Sequence, residues 1–168
     1  MNEGRKVIQN MSKNPKIKKA DLLNRDDIWN IVSDVLIEFG YSSENKIAYE
    51  AFIVLQYYSE MESGGHESLL RWNSDHIEEV GITRYLEEVI DVLEKIDAHK
   101  YAKIEKMYGE ELWKLYTALE KNEIHENEFY SVIEKANGEY YNLNGKLREL
   151  IETYFVMIHT DLIEVVDD

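Results

Sequence analysis

Cysteine is absent from this 168-residue chain, which excludes a disulfide framework, a thiolate nucleophile and any cysteine-ligated zinc or iron–sulfur site. No window approaches the roughly 18 consecutive apolar residues that a membrane helix needs. The first ten residues hold basic side chains with no apolar stretch behind them, so they do not read as a secretory signal. A cytoplasmic protein without membrane association is the expectation.

Chemical motifs are equally scarce. His66 begins His-Glu-Ser-Leu-Leu and His125 begins His-Glu-Asn-Glu, and neither completes the two-histidine helical zinc pattern. No histidine has a glutamate three residues before it, which removes the pairs of a di-iron carboxylate bundle. The phosphate-cradling glycine loop, the nucleophile-elbow serine and the dinucleotide fingerprint are all missing. Paired carboxylates abound, but among 34 acidic residues their proximity says little about acid–base work. The expectation is a protein that is not an enzyme and needs no metal or cofactor.

What the chain does have is charge, unevenly placed. Seven cations (Arg5, Lys6, Lys13, Lys16, Lys18, Lys19, Arg25) against Glu3 and Asp21 give residues 1–25 a net +5. The whole chain carries −15, so residues 26–168 carry −20. Such a body repels nucleic acid and anionic membrane and attracts basic partners at long range. Residues 1–25, with the lone proline Pro15, read as a basic N-terminal arm that is poorly ordered until it meets a surface.

From Asp26 onward apolar residues recur at helical spacing. Ile28 to Phe39 form one stripe, with Asp26 and Asp27 at the positive end and Gly40 as stop. A second helix is predicted from about Glu44 to Glu62, ending at Gly64-Gly65. Asn73-Ser74-Asp75 offers caps for a further start, leading to the clearest stripe, Ile82 to Ile96. Gly109 predicts a break or kink between Tyr108 and Leu112, and Asn137-Gly138 a helix end before a linker holding Tyr140 and Tyr141. The last stripe runs from Leu147 to Ile158. No segment alternates as a strand does, so no sheet is predicted. The reading is an all-α fold, a single compact domain of about seven helices over residues 26–168.

Most tyrosines fall on or beside the stripes, where the ring packs and the hydroxyl reaches the rim. Trp72, beside Arg71, is a candidate corner anchor or interface residue. Glu78, Glu79, Glu87, Glu88, Asp91 and Glu94 lie away from the Ile82–Ile96 stripe and make a candidate partner-binding face. Carboxylates at i, i+3 and i+4 stand about 5–6 Å apart at Cβ, and arginines and lysines that grip phosphate could engage them. A solvated helix face is the ordinary alternative.

The run Tyr57-Tyr58-Ser59-Glu60-Met61-Glu62-Ser63-Gly64-Gly65-His66-Glu67-Ser68-Leu69-Leu70-Arg71-Trp72-Asn73 resembles a signature of a family of small all-helical bacterial proteins that includes a DNA mimic. There a helix ending in tyrosine and acidic residues meets an Asn-Gly-Gly-aromatic turn, and a short helix then closes on asparagine. Gly64, Gly65 and Asn73 match, while Ser63 and His66 replace the asparagine and the aromatic. Ile96-Asp97-Ala98 is similar to that family's Ile-Gly-Ala, and the Leu150, Tyr154, His159 spacing to its last helix. The resemblance spans roughly residues 45–160 and assigns Gly64, Gly65, Trp72 and Asn73 to a structural corner. It implies a non-enzymatic interaction protein, a homodimer, that binds a basic protein such as a DNA-binding protein rather than nucleic acid itself. An immunity protein against a basic toxin nuclease would use the same electrostatics. A helical enzyme or small-ligand protein with an unrecognised pocket is the opposing class.

Overall fold

A computed structural model describes residues 14–168, and six α-helices dominate them. In chain order they follow a short strand β1 (Lys16–Lys18): α1 (Arg25–Phe39), α2 (Lys46–Val80), α3 (Ile82–Lys95), α4 (His99–Glu120), α5 (Glu126–Tyr141) and α6 (Lys146–Leu162), with β2 (Glu164–Val166) last. The all-α reading therefore holds, and the count becomes seven where α2 is broken at its paired glycines. Two compact units divide the described residues: one holds those up to Phe52 together with Ile151–Asp168, the other Ile53–Leu150.

The first unit contains the element that the sequence did not predict. β1 and β2 pair in parallel, Lys16 opposite Glu164 and Lys18 opposite Val166. Three residues are too few to show alternation, and the partner is nearly the whole chain away, so no local pattern betrays the ladder. Of the expected N-terminal arm, residues 1–13 lie outside the described residues. Beyond them, Lys19 Nζ lies 2.9 Å from Asp167 and the Ala20 N–H donates to Asp168, both at exposed positions. The Asn24 side chain caps α1 by accepting from the Asp27 N–H at 2.9 Å, and Asp27 in turn accepts from the Leu23 N–H. Reciprocal bonds of this kind satisfy donors that a helix start leaves orphaned. The apolar side of α1 buries Trp29, Val32, Val35 and Leu36, and the Trp29 ring packs on Phe155 with centroids 5.0 Å apart.

In the second unit α3 packs on α4 and α4 on α5. Tyr85, Leu86, Val89, Val92 and Leu93 form the buried stripe of α3 that the sequence pattern requires. Four local expectations fail here, each for a packing reason. No helix begins at Asn73-Ser74-Asp75, because Asn73 is buried and its amide donates back to the Leu69 carbonyl at 2.8 Å within a continuous segment. Trp72, on that same segment, is 70% exposed and anchors no corner. Asn137-Gly138 does not close a helix: α5 runs on through Tyr140 and Tyr141, so these are not a linker.

Gly109 likewise neither breaks nor kinks α4. A Cβ there would stand 2.6 Å from Leu86 Cδ2, so the missing side chain is what lets α3 and α4 approach. Overpacking a filled core costs about 1–3 kcal/mol, against a gain of about 1 kcal/mol when alanine replaces a helical glycine. Gly109→Ala should therefore lower stability in urea titrations, and shrinking Leu86 to alanine in the same chain should reverse the sign of the Gly109 effect. A stabilised single variant would show that Leu86 yields freely.

Candidate functional site

Three polar residues are almost free of solvent among the described residues: His66, Asn73 and Glu105. Asn73 bonds its own helix, whereas His66 and Glu105 face each other from different helices. His66 Nε2 lies 2.9 and 3.0 Å from the two Glu105 carboxylate oxygens. The Tyr57 hydroxyl, from the first segment of α2, donates to the same carboxylate at 2.8 Å. On the far side of the ring, Asn137 Oδ1 from α5 accepts from the His66 backbone N–H at 3.0 Å and stands 2.7 Å from His66 Nδ1. Three helices of one unit thus meet on a single imidazole.

This contact explains the paired glycines. Gly65 adopts φ 68°, ψ −156°, a conformation that side chains penalise, and its ideal Cβ would fall 2.5 to 2.8 Å from the Asn137 amide atoms. Asn137 can therefore reach the interrupted helical ladder at His66 only because residue 65 has no side chain. Ser68, one turn into the second segment, donates to Glu60 on the first at 2.6 Å and braces the corner from outside.

The donors and acceptors also set the proton count. A backbone N–H only donates, so the Asn137 atom facing it must be the oxygen. That same oxygen faces Nδ1, which must carry a proton to bond it. With Glu105 ionised, its oxygens only accept, so Nε2 donates as well and His66 pairs with it as an imidazolium. Burial alone draws the His66 proton affinity down, but the Glu105 charge and the bonds to Glu105 and Asn137 outweigh it, so the ring is held above its ordinary range. Burial, with Glu105 second, pushes the Tyr57 phenol well above its ordinary value, so Tyr57 stays a donor.

The acidic residues selected from the sequence separate into two groups. Glu78, Glu79, Glu87 and Asp91 are exposed. Glu88 is mostly covered, 3.3 Å from Arg84 Nε and 3.9 Å from His76 Nε2. Glu94 accepts from Lys106 Nζ at 2.9 Å and pairs with His99 Nδ1; the Lys106 bond, then the His99 bond, holds its carboxyl below the usual range. A cleft of about 430 Å³ opens beside this group, lined in part by Asp97, His99, Lys100, Asn144, Lys146 and Glu149. Among the described residues no three histidine or carboxylate side chains are grouped to hold a metal ion, and no helix is long and apolar enough to cross a membrane.

Sequence reasoning missed Glu105 and Asn137, although a signal was there. Glu105 continues the i, i+4 row of Tyr101 toward Leu112, and Asn137 continues that of Phe129 and Ile133. A carboxylate and an amide on the buried rows of neighbouring helices call for partners.

Gly65→Val should lower stability by about 1–3 kcal/mol from backbone strain alone, and more as Asn137 is displaced; an unchanged melting temperature would contradict the corner. Removing one member of a buried ion pair costs about 3–5 kcal/mol, which is the loss expected in denaturant titrations of His66→Ala. Because the folded-state affinity of His66 is raised, its contribution is complete below the unfolded value near 6.5 and is lost as pH climbs through the folded value. Unfolding titrations should show stability falling as pH rises above about 6.5. That slope should survive His99→Gln, which removes the exposed histidine raised by its bond to Glu94, and should vanish in Glu105→Gln.

No curated protein and no solved structure matched the chain. The family model described as DMP19-like protein matches residues 42–159, a span that contains the glycine corner, the His66–Glu105 pair and Asn137. The chain belongs to the DMP19-like protein family.

Proposed function

We propose that this chain is a non-enzymatic, acidic interaction protein that engages a basic partner, most concretely a DNA-binding protein for which it stands in as a DNA mimic. One observation carries the reading: Glu78 and Glu79 at the end of α2 and Glu87 and Asp91 on α3 hold their carboxylates at exposed positions on a body of net −20. Glu87 and Asp91 are one helical turn apart, about 5–6 Å at Cβ. Duplex DNA offers one charge per about 1.7 Å of axis, shared between two strands, so such carboxylates can meet the cations that otherwise grip phosphate. Membership of the DMP19-like family supports the same reading.

The geometry narrows the contact set. Glu88 is already paired with Arg84, and Glu94 with Lys106 and His99, all of their own unit. Recruiting them would require breaking those pairs, so the proposed face is Glu78, Glu79, Glu87 and Asp91.

The test begins with capture from native lysate at low salt, followed by identification of the eluted protein. Its association with the purified chain should slow about tenfold or more when these four residues are changed to glutamine or asparagine. Added salt should weaken the complex, and duplex DNA should displace the chain from it. A captured partner indifferent to salt, to duplex DNA and to the fourfold substitution would overturn the proposal.

A further inference from the structure

A second surface of the same unit is left unexplained by the acidic residues of α3. Trp113 and Tyr116 on α4 stack with centroids 5.7 Å apart and planes 24° apart. Tyr116 meets Phe129 of α5 at 6.1 Å, and Phe129 meets Tyr130 at 5.2 Å. The Tyr130 hydroxyl donates to Glu67 Oε1 on α2 at 2.8 Å, and Arg71 Nη2 lies 3.4 Å from that same oxygen. Aromatic contacts and hydrogen bonds therefore run continuously across three helices. Yet the surface stays open: Trp113 and Tyr116 are half-buried, Tyr130 is exposed, and Trp72 directly follows Arg71. Single exposed apolar residues are ordinary. A tryptophan and two tyrosines beside an arginine, however, have the composition of a binding hot spot.

Charge selects what would cover it. Tyr116 is raised first by burial, then by the carboxylate of Glu120, with Glu78 and Glu67 adding to it against Arg71. Tyr130 is raised first by its bond to Glu67, then by burial, with Glu126 also within electrostatic reach. Against the Arg71 guanidinium, four carboxylates, those of Glu67, Glu78, Glu120 and Glu126, thus act on these two tyrosines. A second copy of the chain, itself at net −15, would bring like charge to this rim. An arginine suits it on both counts, since a guanidinium stacks on an aromatic face and bonds a carboxylate in the same plane.

We propose that the face formed by Trp113, Tyr116 and Tyr130, rimmed by Glu78 and Glu120, receives an arginine-bearing segment of a basic protein partner. The inference rests on the reading that the partner is basic, and adds where its side chains are held.

The test titrates the full chain with a hexa-arginine peptide, a hexa-lysine peptide and an uncharged glycine-serine peptide of equal length, following the indole N–H resonances. Trp29, buried in the other unit, serves as internal reference. Trp113 should move with hexa-arginine while Trp29 does not, and hexa-arginine should bind more tightly than hexa-lysine. Trp113→Leu with Tyr130→Ala should weaken hexa-arginine binding about tenfold, the scale of two cation–π contacts. Tyr130→Ala alone, at an exposed position, keeps the measurement informative if Trp113→Leu does not fold, and should weaken binding by a few-fold. Hexa-arginine binding that is salt-sensitive but leaves the Trp113 indole unmoved and ignores these substitutions would overturn the aromatic site while leaving the basic-partner reading intact. No binding of hexa-arginine at low salt would remove that reading and this one together. Self-association abolished by the same substitutions would assign the face to a second copy and overturn the proposal.

Discussion

The corner in α2 depends on one buried ion pair. His66 and Glu105 are each almost wholly out of water, and an unpaired charge at either position would cost several kcal/mol. The pair is tolerable because its hydrogen-bonding capacity is filled, by Tyr57 on the carboxylate and Asn137 on the ring. Fully satisfied polar networks of this kind specify one arrangement of helices, since any slip leaves a charged group without a partner. Hydrophobic stripes alone tolerate a range of packings; His66 with Glu105 does not.

That constraint reaches the surface through α2. The segment after Gly65 carries Glu67, Arg71, Trp72, Glu78 and Glu79, and its direction is set where Asn137 seizes the His66 N–H. Glu78 and Glu79 of the proposed acidic face therefore stand on a helical segment whose origin is buried. Glycine at 65 is a chemical necessity for this arrangement, because a side chain there would occupy the position of the Asn137 amide. A preorganised surface loses less freedom on binding, which is a reason to spend a buried charge pair on holding a helix corner.

Much of the fold was legible in the sequence, and the failures share a cause. The stripes of α1, α3 and α6 and the break at Gly64-Gly65 follow from local periodicity and from glycine's backbone freedom. Gly109, Asn73 and Asn137 were misread because the same residue type ends helices in one setting and fits a close contact or a buried hydrogen bond in another. What decides is the neighbouring helix: Leu86 for Gly109 and His66 for Asn137. The β1–β2 ladder depends on a partner too distant to leave any pattern. For the acidic face, composition gave the candidates, but only geometry separated Glu88 and Glu94, held by cations of their own unit, from Glu78, Glu79, Glu87 and Asp91.

The central claim is that a protonated histidine, clasped between Glu105 and Asn137, fixes the corner. Two-dimensional ¹H–¹⁵N spectroscopy of the His66 ring at neutral pH tests it most directly. The account predicts that Nδ1 and Nε2 both carry protons, that both exchange slowly with water, and that both couple to the ring carbons as imidazolium nitrogens do. A neutral ring with a bare Nε2 under those conditions would contradict it, since the proton would then belong to Glu105 and the two would meet as a neutral pair.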